Sequence, residues 1–105
     1  MTELRKLDGE ILIGSKPMGT YINASVMALF SRSKIVIKAR GKNALMAIDL
    51  SQILQRRMGV SVNAVRIGSE TFRKAIIDEK SGQNKEIDLR VSTIEIEVGK
   101  SATQI

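Results

Sequence analysis

A chain of 105 residues has room for one domain, which excludes a two-domain enzyme. Its 43% of apolar residues, broken by one Pro, suffice for a core, because a chain of this size buries roughly two-thirds of its unfolded surface. With no Cys and no His it lacks disulfides, thiolate zinc sites and the commonest general base, and a formal charge of +6 points toward a polyanionic partner.

The charge is concentrated. Residues 14–68 hold nine basic side chains (Lys16, Arg32, Lys34, Lys38, Arg40, Lys42, Arg56, Arg57 and Arg66) against one acid, Asp49. The start of the chain has neither an apolar stretch nor a small-residue cleavage site, so no secretory signal is read there. The longest uncharged run, residues 17–31, is too short and too polar to span a bilayer. The expectation is a soluble, cytoplasmic protein.

In chain order, residues 1–9 read as a flexible tail. A short apolar run closed by Gly14 predicts the first strand, residues 10–14. Pro17 suits the first turn of a helix, with Ser15 or Lys16 as cap. Met18, Tyr21, Ile22, Val26, Leu29 and Phe30 then recur at three- and four-residue steps, predicting a helix over about 17–31 with Tyr21 and Phe30 in the core. Residues 34–39 are rich in β-branched side chains and predict the second strand.

Asn43 offers a cap for a second helix over 43–58, which ends in Arg56, Arg57 and Gly59, the residue types a helix C-terminus favours. Its apolar stripe (Ala44, Leu45, Ala47, Ile48, Ile53, Leu54 and Met58) is wider than one sheet face requires, so part of it is free to face another subunit. Residues 60–67 predict a third strand, with a slip of alternation between Ala64 and Val65 that marks a bulge. Residues 91–98 alternate cleanly, with Ile94, Ile96 and Val98 inward and Thr93, Glu95 and Glu97 outward.

The connection over 69–90 carries five basic residues (Arg73, Lys74, Lys80, Lys85 and Arg90) and five acidic ones (Glu70, Asp78, Glu79, Glu86 and Asp88) around Gly82. A structureless loop of that length is uncommon. It reads as a long hairpin arm extending beyond the body, the other reading being a solvated loop. Residues 99–105 read as a frayed end. The order βαβαββ predicts an α+β, two-layer fold: one domain over 10–98, with two helices on one face of a four-stranded mixed sheet.

Two places combine Gly, a helix N-terminus and basic side chains at one end of such a sheet: residues 14–17 with Lys16, and residues 38–43 with Arg40, Gly41, Lys42 and Asn43. Unpaired amides at a helix start attract phosphate, and a cation beside them adds a charge-assisted hydrogen bond. Either loop alone reads equally well as an ordinary turn. No GxxxxGK[ST] or GxGxxG motif opens either helix, which leaves nucleotide sites without support. Three aromatics, Tyr21, Phe30 and Phe72, are too few and too scattered for a base-stacking sheet. Asp49 stands alone, and Glu95 and Glu97 alternate on an outer face, so there is no carboxylate cluster for metal-dependent chemistry. Catalysis, cofactors, bound metal and a small-molecule substrate are not expected.

The segments IGSKP at 13–17, KIVIKARG at 34–41, AID at 47–49, VRIGS at 65–69 and RVSTIEI at 90–96 resemble, in order and spacing, the Alba family of archaeal chromatin proteins. The likeness covers about residues 10–98. It implies a fold similar to the C-terminal domain of translation initiation factor 3. It further implies a homodimer that packages or protects double-stranded DNA with little regard for sequence and also binds RNA, at a nucleoid location. By the resemblance, Lys16, Arg40, Gly41, Lys42 and Asn43 belong to the nucleic-acid surface of the body, and Arg73, Lys74, Lys80, Lys85 and Arg90 to an arm lying along the minor groove. Relatives in ribonuclease P complexes make an RNA-binding subunit of a ribonucleoprotein the alternative.

Two positions depart from the family pattern. Ser15 stands where many members carry the first of two lysines, whose acylation weakens DNA binding. Met58 stands where many carry a Phe that joins dimers side by side, which implies weaker dimer–dimer contact on DNA.

Overall fold

The structure, a computed structural model, describes residues 9–100; the predicted tail up to residue 8 and residues 101–105 lie outside it. The elements follow the predicted order. They are β1 (Glu10–Leu12), α1 (Met18–Ser31), β2 (Lys34–Arg40), a 3-10 turn (Gly41–Asn43), α2 (Ala44–Met58), β3 (Ser61–Ile77) and β4 (Asn84–Gly99). The sheet runs β1-β2-β4-β3, with β1 parallel to β2 and the other neighbours antiparallel.

Alternation decides the two faces. Ile11, Ile13, Ile35, Ile37, Ala39, Ile94, Ile96 and Val98 pack against Tyr21, Ala47, Leu50 and Leu54 of the helices to form the buried core. The opposite face carries no helix and is held by charge. Glu10 meets Lys38 at 2.7 Å, Lys38 meets Glu95 at 3.8 Å, and Glu95 meets Arg66 at 3.2 Å, so one row of ion pairs crosses all four strands. The hydrogen bond to Glu10 is the main reason why the Lys38 ammonium titrates above its ordinary value, partial burial working the other way.

Several local expectations differ. Phe30 is 76% exposed instead of buried: it lies nine residues beyond Tyr21, two and a half turns, and therefore on the far side of α1. Pro17 itself is the N-cap of α1, and neither Ser15 nor Lys16 caps it. Asn43 makes no capping hydrogen bond, because the 3-10 turn has already brought its backbone into helical geometry. The bulge falls at Asn63, between Val62 and Ala64, two residues ahead of Val65.

β1 starts at Glu10 as expected, and β4 runs one residue past the expected end, to a buried Gly99. Beyond the strands, the Gly9 carbonyl accepts from the Val36 N–H at 2.8 Å, and the Lys100 N–H reaches the Ser33 carbonyl at 3.1 Å. A Cβ at position 99 would stand 2.5 Å from that same carbonyl, so only glycine fits where the end of β4 crosses the start of β2.

Candidate nucleic-acid interface

Because β1 and β2 are parallel, each delivers the chain to its helix at the same end of the sheet. The Ile13 N–H bonds to the Lys38 carbonyl at 2.9 Å, which holds the loop bearing Lys16 beside the end of β2. Arg40, Gly41, Lys42 and Asn43 follow directly. Gly41 takes a φ of +53°, a left-handed turn that a side chain would resist, and this swings the chain from strand into helix.

β3 and β4 stay paired from Ser61–Gly99 out to Ile77–Asn84, far beyond the last β2 partner, Arg40 opposite Thr93. The arm predicted for 69–90 is thus a two-stranded ribbon leaving from the end of the sheet that carries Lys16 and Arg40. It stretches the molecule to 65 × 31 × 21 Å. Its tip is tied at both sides, with the Asp78 N–H bonding to Gln83 at 2.8 Å and the Gly82 N–H to Asp78 at 2.7 Å.

The two loops differ in backbone donors. The Tyr21 hydroxyl accepts from the Gly14 N–H at 2.7 Å and from the Lys16 N–H at 3.1 Å. Those two amides are therefore spent inside the protein, and Lys16 offers its ammonium instead. At the 3-10 turn, by contrast, Arg40 is the N-cap residue and its side chain makes no capping hydrogen bond to the first amides.

Cations fall into two groups. Lys16, Lys42, Lys74, Lys80 and Arg90 form no ion pair among the described residues, whereas Arg40, Arg73 and Lys85 do. Arg40 Nε lies 3.0 Å from Glu70, Arg73 lies 3.0 Å from Glu86 and 3.4 Å from Asp88, and Lys85 lies 3.4 Å from Asp78. At the tip the Lys80 N–H, 2.9 Å away, is the first cause of a lowered Asp78 pKa, followed by the Lys85 ammonium.

Strand parity splits the arm further. Arg73 and Arg90 stand on the helix-bearing side of the ribbon, and Lys74 and Lys85 on the other, among Phe72, Ile76, Ile87 and Leu89. Phe72 is 40% exposed there. Met58 closes α2 at the end away from the arm and is half-buried against the core.

Sequence reasoning missed Glu70 as a partner of Arg40. The contact depends on a strand register that no local pattern states. It also left open which apolar side chains stay uncovered: Leu45 and Ile48 on α2, and Val65 and Ile67 on β3, at 66, 42, 55 and 81% exposure. Val65 and Ile67 lie opposite Ile96 and Ile94, hence on the helix-bearing face, but at the edge strand.

A two-layer α+β body with basic loops at one end and a ribbon projecting from that end defines the structural class. The chain belongs to the Alba family, whose model matches residues 9–69, ending at the root of the arm. It is 34% identical over 94 residues to the DNA/RNA-binding protein Alba of Nitrosopumilus maritimus (strain SCM1), covering 87% of this chain and 90% of the relative. With the DNA/RNA-binding protein Alba of Nanoarchaeum equitans (strain Kin4-M) it shares 36% over 95 residues, 87% of this chain and 97% of the other. Among solved structures, Alba from Thermoplasma volcanium superposes with a TM-score of 0.70 at 29% identity, covering 87% of this chain and 99% of that one.

Proposed function

We propose that this protein is a homodimer that binds double-stranded DNA through its phosphates, largely without regard to sequence, packaging or protecting the chromosome in the cytoplasm, and that it also binds RNA. The observation that carries the reading is the convergence of the Lys16 loop, the Gly41–Asn43 turn and the root of the arm at one end of the sheet. Relatives that match most of the chain carry the name DNA/RNA-binding protein. Lysine and arginine heads with helix-start amides read backbone charge, not base identity.

Dimerisation is supported by the uncovered apolar residues Leu45, Ile48, Val65 and Ile67, carried by two elements that touch. In this reading Lys16, Arg40, Gly41, Lys42 and Asn43 grip the backbone, and Arg73, Lys74, Lys80, Lys85 and Arg90 follow it along the arm. Met58, only half exposed and flexible, gives weak contact between neighbouring dimers on DNA.

Titration of duplex DNA at several salt concentrations tests the reading. With ~6 phosphates neutralised, affinity falls on the order of 10³-fold between 50 and 200 mM salt. Duplexes of different sequence should follow one curve. Little salt dependence, or one strongly preferred sequence, would count against it, and tighter binding to folded RNA than to duplex of equal length would favour a ribonucleoprotein subunit.

A further inference from the structure

We infer that Glu70 is a built-in competitor for phosphate at Arg40 and holds down the affinity of the whole basic end. This rests on the nucleic-acid reading above. Glu70 sits on β3 opposite Val91, where the ribbon parts from the body, and its carboxylate lies 3.0 Å from Arg40 Nε. A carboxylate oxygen at that distance takes the position a phosphate oxygen would take, because both are anionic acceptors for the same guanidinium N–H.

The setting favours exchange. The side chains of Arg40 and Glu70 are 64% and 49% exposed, so the pair is a surface pair of small net strength and a phosphate can replace the carboxylate. Behind it lies a cleft of about 500 Å³ whose charged lining is Glu10, Lys38, Arg40, Glu70 and Glu95. Three acids against two bases repel a phosphate from the cleft itself, so the backbone must approach Arg40 from the rim. On the loops at the same end of the sheet, Lys16 and Lys42 have no ion-pair partner among the described residues. Of these three cations Arg40 is the one that has to change partner before it can grip.

The test is a double-mutant cycle read by duplex DNA affinity at low salt: wild type, Glu70→Gln, Arg40→Ala and the double variant. Glu97→Gln serves as a control for net charge, since Glu97 pairs with Lys34 at the opposite end of the sheet. Glu70→Gln should tighten binding about two- to five-fold. The gain should vanish in the Arg40→Ala background, and Glu97→Gln should give less. A gain that survives the loss of Arg40, or one that Glu97→Gln matches, overturns the inference, as does weaker binding by Glu70→Gln, which would make Glu70 a support for Arg40. Wild type that binds while Glu70→Gln changes nothing overturns the inference alone. Wild type that fails to bind any duplex or RNA overturns the nucleic-acid reading with it.

Discussion

Ser25 shows how a single hydroxyl fares in this interior. Its Oγ is fully buried in α1 and has no hydrogen-bond partner among the described residues. A buried, unpaired polar group costs free energy, and alanine is also the better helix former. Ser25→Ala should therefore raise stability by ~1–2 kcal/mol, seen as a higher urea midpoint at unchanged slope; a lower midpoint would mean that the hydroxyl is held after all. Asp78 gives the pH counterpart at the tip of the arm. Its pKa is lowered in the folded chain, so its contribution is present above the ordinary value of 3.8 and is lost as pH falls through the folded value. The amide proton of Lys80 should report that titration by NMR with a midpoint below 3.8, and Asp78→Asn should abolish it.

At the scale of elements, the helices and the arm were legible in different degrees. α1, α2 and β2 announced themselves because one strong periodicity or one β-branched run determined each. Ile94, Ile96 and Val98 were readable as inward for the same reason. Phe30 was not, since three- and four-residue steps can be chained around a helix until the last member faces solvent. The pairing of Arg40 with Glu70 was hidden too, being set by register across non-adjacent strands. The wide stripe on α2 was visible in the sequence, whereas its continuation onto Val65 and Ile67 needed the topology. These side chains mark the proposed dimer surface. Ile67 is 81% exposed, so Ile67→Glu costs the subunit little internal packing. It should nevertheless shift sedimentation from dimer to monomer at micromolar concentration. An unchanged mass would place the interface elsewhere.

For the whole molecule, the basic loops were legible as two separate stretches, and parallel pairing of β1 with β2 is what unites them. The open face of the sheet is neutralised by its own row of acids and bases, and the five bases of the arm are matched by five acids, which leaves the net positive charge to the end that carries Lys16, Arg40 and Lys42. A polyanion is thus drawn to that end instead of onto the flat side. The arm contributes reach with little core, because beyond Thr93 its strands pair only with each other.

The extra residue at Asn63 governs all that follows it in β3. Had Asn63 taken its place in the ladder opposite Glu97, Arg66 would face Ile94 under the helices and Ile67 would turn to the charged side. The charged residues that β3 brings to the ribbon, Glu70, Arg73 and Lys74, would trade sides while those of β4 kept theirs, and Glu70 would point away from Arg40. One unpaired position near the base of the strand acts as the phase setting for one whole side of the appendage. A natural insertion or deletion within β3 ahead of residue 70 would be tolerated only in pairs, or where a second such dislocation absorbs it.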